Sequence, residues 1–212
     1  MKIVSLITAR GGSKGIPNKN IIDVNGKPLI SYSISASLDS DVDETWVSTD
    51  SDKIKMVSEE CGSKVIDRPK HLADDISMPD DSLLHFAKNN NFDILVFIQP
   101  TSPMIKSEYI NKGIKMIKSD KYDSVFTATK EHWIPRWDKN VQPVDWNIHK
   151  RPRRQDKPEL YTENGMFYIT KRESLLLSNL RYSGRKGIVE IPLTDSFQVD
   201  SEEDLELIRK II

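Results

Sequence analysis

Apolar positions recur along the chain in two alternating rhythms. The first is the short unbroken run, clearest in Lys2-Ile-Val-Ser-Leu-Ile-Thr8 and Asp93-Ile-Leu-Val-Phe-Ile98. Runs of this kind predict strands buried on both faces, as in a parallel sheet. Thr45-Trp-Val-Ser48, Lys64-Val-Ile66, Ser124-Val-Phe-Thr-Ala128, Gly165-Met-Phe-Tyr-Ile169 and Gly187-Ile-Val-Glu-Ile191 predict further strands. The second rhythm is that of one helical face. Ile30, Ile34 and Leu38 are spaced four apart behind Pro28, which suits a first helical turn. Asp50 and Ser51 predict a cap for a helix carrying Ile54 and Val57, and Ser107 predicts one for a helix burying Ile110, Ile114 and Ile117. Helices are also predicted over 82–89 and near 174–177. Ser201-x-x-Asp204 reads as a capping box that opens a last helix reaching about Ile212. Strand-like and helix-like segments alternate, so the expected architecture is α/β: three layers, with helices on both faces of a mostly parallel sheet.

The rhythm breaks between residues 131 and 160. That stretch holds Trp133, Trp137 and Trp146, four prolines and the basic run Lys150-Arg-Pro-Arg-Arg154. A long irregular segment in a compact domain is usually functional or an interface. Its aromatics fit a partner surface or a small satellite core under a loop.

Composition narrows the picture. A chain of 212 residues suits one domain, 1–212, with an appendage. A net charge of −1 argues against a general nucleic-acid binder. The single cysteine, Cys61, excludes an internal disulfide and suits a reducing cytoplasm. It reads as a small residue at a helix end before Gly62. No paired Cys or His stands at zinc-ligand spacing. The first apolar run is too short for a signal-peptide core, and nothing approaches a membrane span, so a cytoplasmic protein is expected.

The richest chemistry follows the first strand. Arg10-Gly-Gly-Ser-Lys-Gly-Ile-Pro-Asn-Lys-Asn20 combines two adjacent glycines with three cations, Arg10, Lys14 and Lys19. Bare backbone N–H groups ringed by cations suit a polyanion, and at a strand's carboxyl end a triphosphate is the natural one. No Gly-Lys-Ser/Thr closes the loop, so it is not a P-loop, and G-x-G-x-x-G spacing is absent.

Ala9 to Asn20 resembles the signature of the acylneuraminate cytidylyltransferases (CMP-sialic acid synthetases), which are related to the CMP-Kdo synthetases. Val47-Ser-Thr-Asp50, Arg68-Pro-Lys-His-Leu-Ala-Asp-Asp75, Gln99-Pro-Thr-Ser-Pro103, Arg153-Arg-Gln155, Glu163-Asn-Gly165 and Val199-Asp200 follow in the family's order. The resemblance covers nearly the whole chain. It implies a Rossmann-like nucleotidyltransferase fold in which 131–160 is a dimerisation arm reaching over the partner's active site, hence a homodimer. The implied reaction joins CTP to an acidic 2-keto sugar, N-acetylneuraminate or a related nonulosonate, with Mg²⁺ and loss of pyrophosphate. CMP-Kdo, CMP-legionaminate or CMP-pseudaminate synthesis are alternatives, as is a weakly catalytic nucleotide-sugar-binding subunit. A glycosyltransferase would need a mid-chain Asp-x-Asp, and Asp41-Val-Asp43 comes too early.

Within that frame Arg10 and Lys19 are the first choices for the phosphates, a guanidinium fork and a point charge. Gly11 and Gly12 would present N–H groups to the β- and γ-phosphates together with Ser13. Lys14 fits a third phosphate ligand and an exposed lysine equally. By family match Asn20 contacts the nucleotide and Arg68 faces the cytidine. Pro79 stands roughly where some relatives have a serine near the base, with Ser77 as a substitute. Asp200 is the implied Mg²⁺ ligand. The family pairs it with a second aspartate two residues earlier, where this chain has Gln198; its amide could give the metal site one oxygen or hold a metal-bound water but supplies less charge, so a single cation is expected. Gln99, Thr101 and Ser102 would face the sugar; the Leu-Arg that usually follows is Met104-Ile105 here, with Lys106 as partial replacement. Arg154, more than Arg153, would reach the neighbouring subunit's site for the sugar carboxylate. Tyr161, Asn164 and Tyr168 match positions around the sugar, although Tyr168 fits the core equally well.

Overall fold

The computed structural model describes residues 1–74 and 76–212. Asp75, the last residue of the Arg68 motif, lies outside the described residues. The first half of the chain forms β1 (Ile3–Thr8), the short pair β2 (Asp23–Val24) and β3 (Lys27–Pro28), α1 (Leu29–Leu38), β4 (Glu44–Thr49), α2 (Asp52–Glu60), β5 (Lys64–Asp67), α3 (Pro79–Asn89) and β6 (Ile94–Ile98). The second forms α4 (Ser107–Lys118), β7 (Ser124–Lys130), the pair β8 (Arg136–Trp137) and β9 (Pro143–Val144), β10 (Tyr161–Lys171), α5 (Arg172–Ser178), β11 (Lys186–Glu190) and α6 (Glu202–Ile211).

Seven strands make one sheet in the order β11-β7-β10-β6-β1-β4-β5. Only β10 runs against its neighbours, β6 and β7. The chain steps outward from β1 through β4 to β5, then returns to lay β6 on β1's other side. Strand order reverses between β1 and β6, and the carboxyl ends of that pair open a crevice.

Side-chain alternation divides the core between the two faces. Ile3 and Ile7 of β1 and Ile94, Val96 and Ile98 of β6 pack with Ile30 and Ile34 of α1 and with Ile110, Ile114 and Ile117 of α4. Val4, Leu6, Leu95 and Phe97 face the other way, toward Leu83, Phe86 and Ala87 of α3 and Leu175 of α5. A third cluster lies off the sheet. Ile16, Val24 and Leu29 meet Val199, Leu205 and Ile208 there, fastening α6 to the loop after β1.

Local chemistry matches the sequence reading in places and departs from it in others. Ser201 Oγ accepts from the Asp204 N–H at 3.2 Å, the predicted cap. Cys61 ends α2 before Gly62, a free, half-buried thiol whose pKa burial raises. Ser107 is instead the first residue of α4 and caps nothing, and Ser51 precedes α2 without a side-chain cap bond. Leu38 ends α1 and is 47% exposed, whereas Ile30 and Ile34 are fully buried. α3 starts at Pro79, where the Asp81 carboxylate accepts the Met78 N–H at 3.0 Å. β10 begins at Tyr161 because β7 pairs with it there, although Tyr161 to Glu163 are exposed and show no apolar run.

In the irregular segment, Trp146 sits edge-on to Trp133 and Trp137, with ring centroids 6.5 and 5.0 Å away. The three tryptophans thus pack on one another, apart from the main core. Trp137 is itself exposed, as are Ile134, Val141, Val144 and Ile148 of the same segment. No helix among the described residues is long and apolar enough to cross a membrane.

The layer formed by α3 rests on Phe86, which is 1% exposed and lies between Trp46 and Phe92 at 5.7 and 5.6 Å. Phe86→Ala is expected to destabilise the fold by about 3–5 kcal/mol, read by urea unfolding. A loss below about 1 kcal/mol would mean that this layer collapses around the cavity.

Candidate functional site

The crevice between β1 and β6 is a cavity of about 480 Å³. Its first wall is the loop after β1. The Ala9 N–H donates to the Ser48 carbonyl at 3.0 Å, and the Gly11 N–H donates to Asp50 Oδ1 at 2.9 Å. Asp50, expected to cap α2, therefore anchors this loop. Gly11 and Gly12, expected to face a phosphate, do not line the cavity, and Gly11 gives its N–H to Asp50. Arg10, Ser13, Lys14, Lys19 and Asn20 do line it. Arg10 Nη1 donates to the Asp74 carbonyl at 2.9 Å. Asn20 is 5% exposed, and its Nδ2 donates to the Arg10 carbonyl at 3.0 Å, so it braces the loop from within.

Lys19 meets Asp200 from the far end of the chain, Nζ to Oδ1 at 2.9 Å. Asp200 is held there by its backbone. Its N–H and that of Ser201 both donate to Asp204 Oδ2, at 3.0 and 2.8 Å. The preceding residue, Val199, is fully buried and donates its N–H to the Thr101 carbonyl at 2.8 Å. Gly15 makes the approach possible, because a Cβ at this position would stand 2.9 Å from the Asp200 carbonyl oxygen.

The second wall carries Arg68, Ser77 and Pro79. Arg68 is 8% exposed and donates to Ser48, Nε to Oγ at 3.1 Å and Nη2 to the carbonyl at 2.7 Å. Burial pushes its guanidinium pKa down to about 10, with Asp50 opposing the shift and Arg10 adding to it, so it stays charged at neutral pH. Ser77 Oγ lies 2.7 Å from the His71 carbonyl and 2.6 Å from Asp74 Oδ1. The Ser77 hydroxyl and N–H hold the Asp74 carboxyl below its ordinary value.

The third wall is neutral. Gln99, Thr101 and Gln198 line it. The Thr101 hydroxyl is buried and has no hydrogen-bond partner. Gln198 Nε2 donates to the Asn164 carbonyl. Gly165, at φ +70°, separates the two glutamines; a Cβ there would lie 2.7 Å from Gln198 Nε2 and 3.5 Å from the Gln99 amide. Asn164 does not line the cavity, and its side chain is spent on Thr129 and on the Met166 N–H. Ser102 is fully buried and does not line the cavity either; its hydroxyl also lacks a partner.

Several expected residues lie elsewhere. Tyr168 is a core residue, 3% exposed, stacked on Phe97 at 5.5 Å, with its hydroxyl on Glu163. It alternates with Phe167 and so faces the α3 layer. Lys106 turns from the cavity to pair with Asp195 at 2.6 Å. Arg154 contacts His132 in a separate recess of about 330 Å³, Arg153 pairs with Asp156 at 2.9 Å, and Tyr161 donates to Glu159 at 2.7 Å. That bond, with some burial, pushes the Tyr161 hydroxyl up to about 12.

The structure also adds residues the sequence did not single out. Asp74 lines the cavity and fastens Arg10. Arg181 pairs with Asp80 at 2.7 Å, both about one-tenth exposed, and its guanidinium lies 5.4 Å from the ring of Phe97, another lining residue. Asp80 and Arg181 are 101 residues apart, so no local pattern links them.

Among the described residues no group of three His, Cys, Asp or Glu side chains could hold a metal ion. Asp200 offers one exposed carboxylate on the cavity wall, a donor that fits a cation bringing most of its ligands as phosphate and water oxygens.

A family model described as cytidylyltransferase matches residues 4–211. N-acylneuraminate cytidylyltransferase B of Danio rerio is 39% identical over 95% of the chain, and the chain spans 49% of its length, about half. Pseudaminic acid cytidylyltransferase of Campylobacter jejuni is 30% identical over 97% of the chain and 94% of its own. The solved CTP complex of a CMP:2-keto-3-deoxy-manno-octonic acid synthetase has the same fold, with a TM-score of 0.78 over 100% of this chain and 98% of that one, at 21% identity.

Gly15→Ala must push Asp200 and the loop apart. Calorimetric titration with CTP is expected to show about tenfold or weaker binding with little change in thermal unfolding, since small misplacements of a charge cluster are costly. Unchanged affinity would mean that the Lys19–Asp200 spacing is immaterial to binding.

Proposed function

The chain belongs to the cytidylyltransferase family, and on that premise we propose that it transfers CMP from CTP to an acidic 2-keto sugar of the N-acylneuraminate or related nonulosonate class. The observation that carries this reading is the division of one cavity into a cationic wall of Arg10, Lys14 and Lys19 and a neutral, hydrogen-bonding wall of Gln99, Thr101 and Gln198. A triphosphate suits the first and a polyhydroxylated acceptor the second.

In the reaction the anomeric hydroxyl oxygen attacks the α-phosphorus. The new O–P bond forms as the α–β bridging P–O bond breaks, pyrophosphate leaves with the electron pair, and the hydroxyl proton passes to water. Positioning and charge neutralisation carry such a transfer. Arg10, Ser13, Lys14 and Lys19 bind the phosphates, and Lys19 faces the developing charge. Arg68 and Ser77 line the nucleoside end. Mg²⁺ would be held by Asp200 with phosphate oxygens and, when bound, would neutralise the departing pyrophosphate. Gln99 and Thr101 orient the acceptor.

The exposed apolar residues of 131–160 fit a dimerisation arm, and the recess holding Arg154 fits a contribution to the partner's site. A cytoplasmic homodimer supplied with CTP and a soluble sugar acid completes the reading. CMP-Kdo, CMP-legionaminate and CMP-pseudaminate synthesis remain its alternatives within the class.

The direct test is pyrophosphate release from CTP and Mg²⁺ with N-acetylneuraminate, legionaminate, pseudaminate and Kdo, each against a no-sugar control. Release with one acid is expected; silence with all four, with CTP still bound, would sink the reading. Lys19→Ala is expected to lower turnover by about 10²–10³ with unfolding nearly unchanged. Mixed dimers of Lys19→Ala and Arg154→Ala subunits should regain part of the activity, and absence of rescue would confine the site to one chain.

A further inference from the structure

We infer that Gln198 is an acceptor-positioning residue, whose anchored amide presents its carbonyl oxygen to a donor group of the sugar, a hydroxyl or an N-acyl N–H. The inference rests on the functional reading above and assigns one wall of that site. Gln198 and Asp200 flank the buried Val199, and both line the cavity. Their chemistry then diverges. Asp200 keeps an exposed carboxylate against Lys19. Gln198 is fastened through its nitrogen to the Asn164 carbonyl, and because that carbonyl can only accept, the atom facing it must be the amide N–H. With one N–H fixed there, the side chain still offers its neutral oxygen and its second N–H, and the oxygen is its one acceptor.

Three neighbours show why a ligand should meet that oxygen. Gln99 lies across Gly165, within 3.5 Å of where a Cβ at that glycine would be. Thr101, 9% exposed on the same wall, has a buried hydroxyl without a partner, a group that only a ligand or water in the cavity can satisfy. The Val199 N–H to Thr101 carbonyl bond at 2.8 Å ties these two segments together. Two amides and a hydroxyl, with no cation among them, match hydroxyl and amide groups better than phosphate oxygens. A hard divalent cation prefers the adjacent carboxylate to a neutral amide oxygen.

Gln198→Glu tests the assignment, because it keeps size but sets a carboxylate against the Asn164 carbonyl, two acceptors face to face. The KM for the sugar acid is expected to rise about tenfold or more, while the calorimetric affinity for CTP with Mg²⁺ and the Mg²⁺ concentration at half-maximal rate stay within twofold. Gln198→Met, which keeps the volume and removes both polar atoms, should show the same selective rise if the loss is one of hydrogen bonding, whether or not the glutamate variant folds. A lower Mg²⁺ requirement and tighter CTP binding in Gln198→Glu would make the residue a cation ligand and overturn the inference alone. Silence of the unsubstituted protein with every acid would instead overturn the functional reading and this assignment with it.

Discussion

The site depends on one constraint, the fastening of the last helix to the first loop. Asp200 and Lys19 are 181 residues apart, and nothing in the sheet brings them together. The contact is made off the sheet, where Val199, Leu205 and Ile208 pack on Ile16, Val24 and Leu29, none more than 1% exposed. Burying each such side chain is worth roughly 1.5–3 kcal/mol. An ion pair whose carboxylate is mostly exposed, as Asp200 is, contributes only about 0–1 kcal/mol. The apolar cluster therefore closes the site, and the Lys19–Asp200 pair is its passenger.

Beneath the cavity a second support works by charge. Arg181 is held by Asp80 and lies over the rings of Phe97, Tyr168 and Tyr182, at 5.4, 5.0 and 5.8 Å. Tyr168 and Tyr182 in turn give their hydroxyls to Glu163, beside the Asn164 that anchors Gln198. The start of α3 and the turn at Gly165 are thus tied through one guanidinium. Arginine suits this place because its flat, weakly hydrated cation can stack on aromatic faces while both edges are bound.

Most of the architecture was legible in the chain because it rests on periodicity. The runs at 2–8 and 93–98 are buried strands for the reason their sequence predicts, and Ser201 and Asp204 cap a helix through bonds confined to four residues. The failures share a cause as well. Asp50 looks like a cap from its neighbours, but its partner is Gly11, 39 residues away. Lys106 and Tyr168 stand in suggestive motifs, and tertiary contacts with Asp195 and Phe97 claim them. Glycine carried more information than its flanking sequence disclosed. Gly15 and Gly165 are needed because other segments pass close by, which only assembly reveals. The first half of β10 was invisible because its side chains face water and its pairing alone makes it a strand.

The Lys19–Asp200 contact has a consequence for what the cavity will admit. Lys19 is only 17% exposed on its side chain, and its charge is already answered by the Asp200 carboxylate. A bare polyanion entering on the strength of the surrounding cations would have to take Lys19 from its carboxylate and then lie beside the negative charge it had released. An anion escorted by a divalent cation meets no such conflict, since each member of the pair finds an opposite charge on the visitor. On the proposed reading the ion pair would thereby sort visitors by charge pattern, favouring an anion that brings a divalent cation over orthophosphate or a metal-free nucleotide.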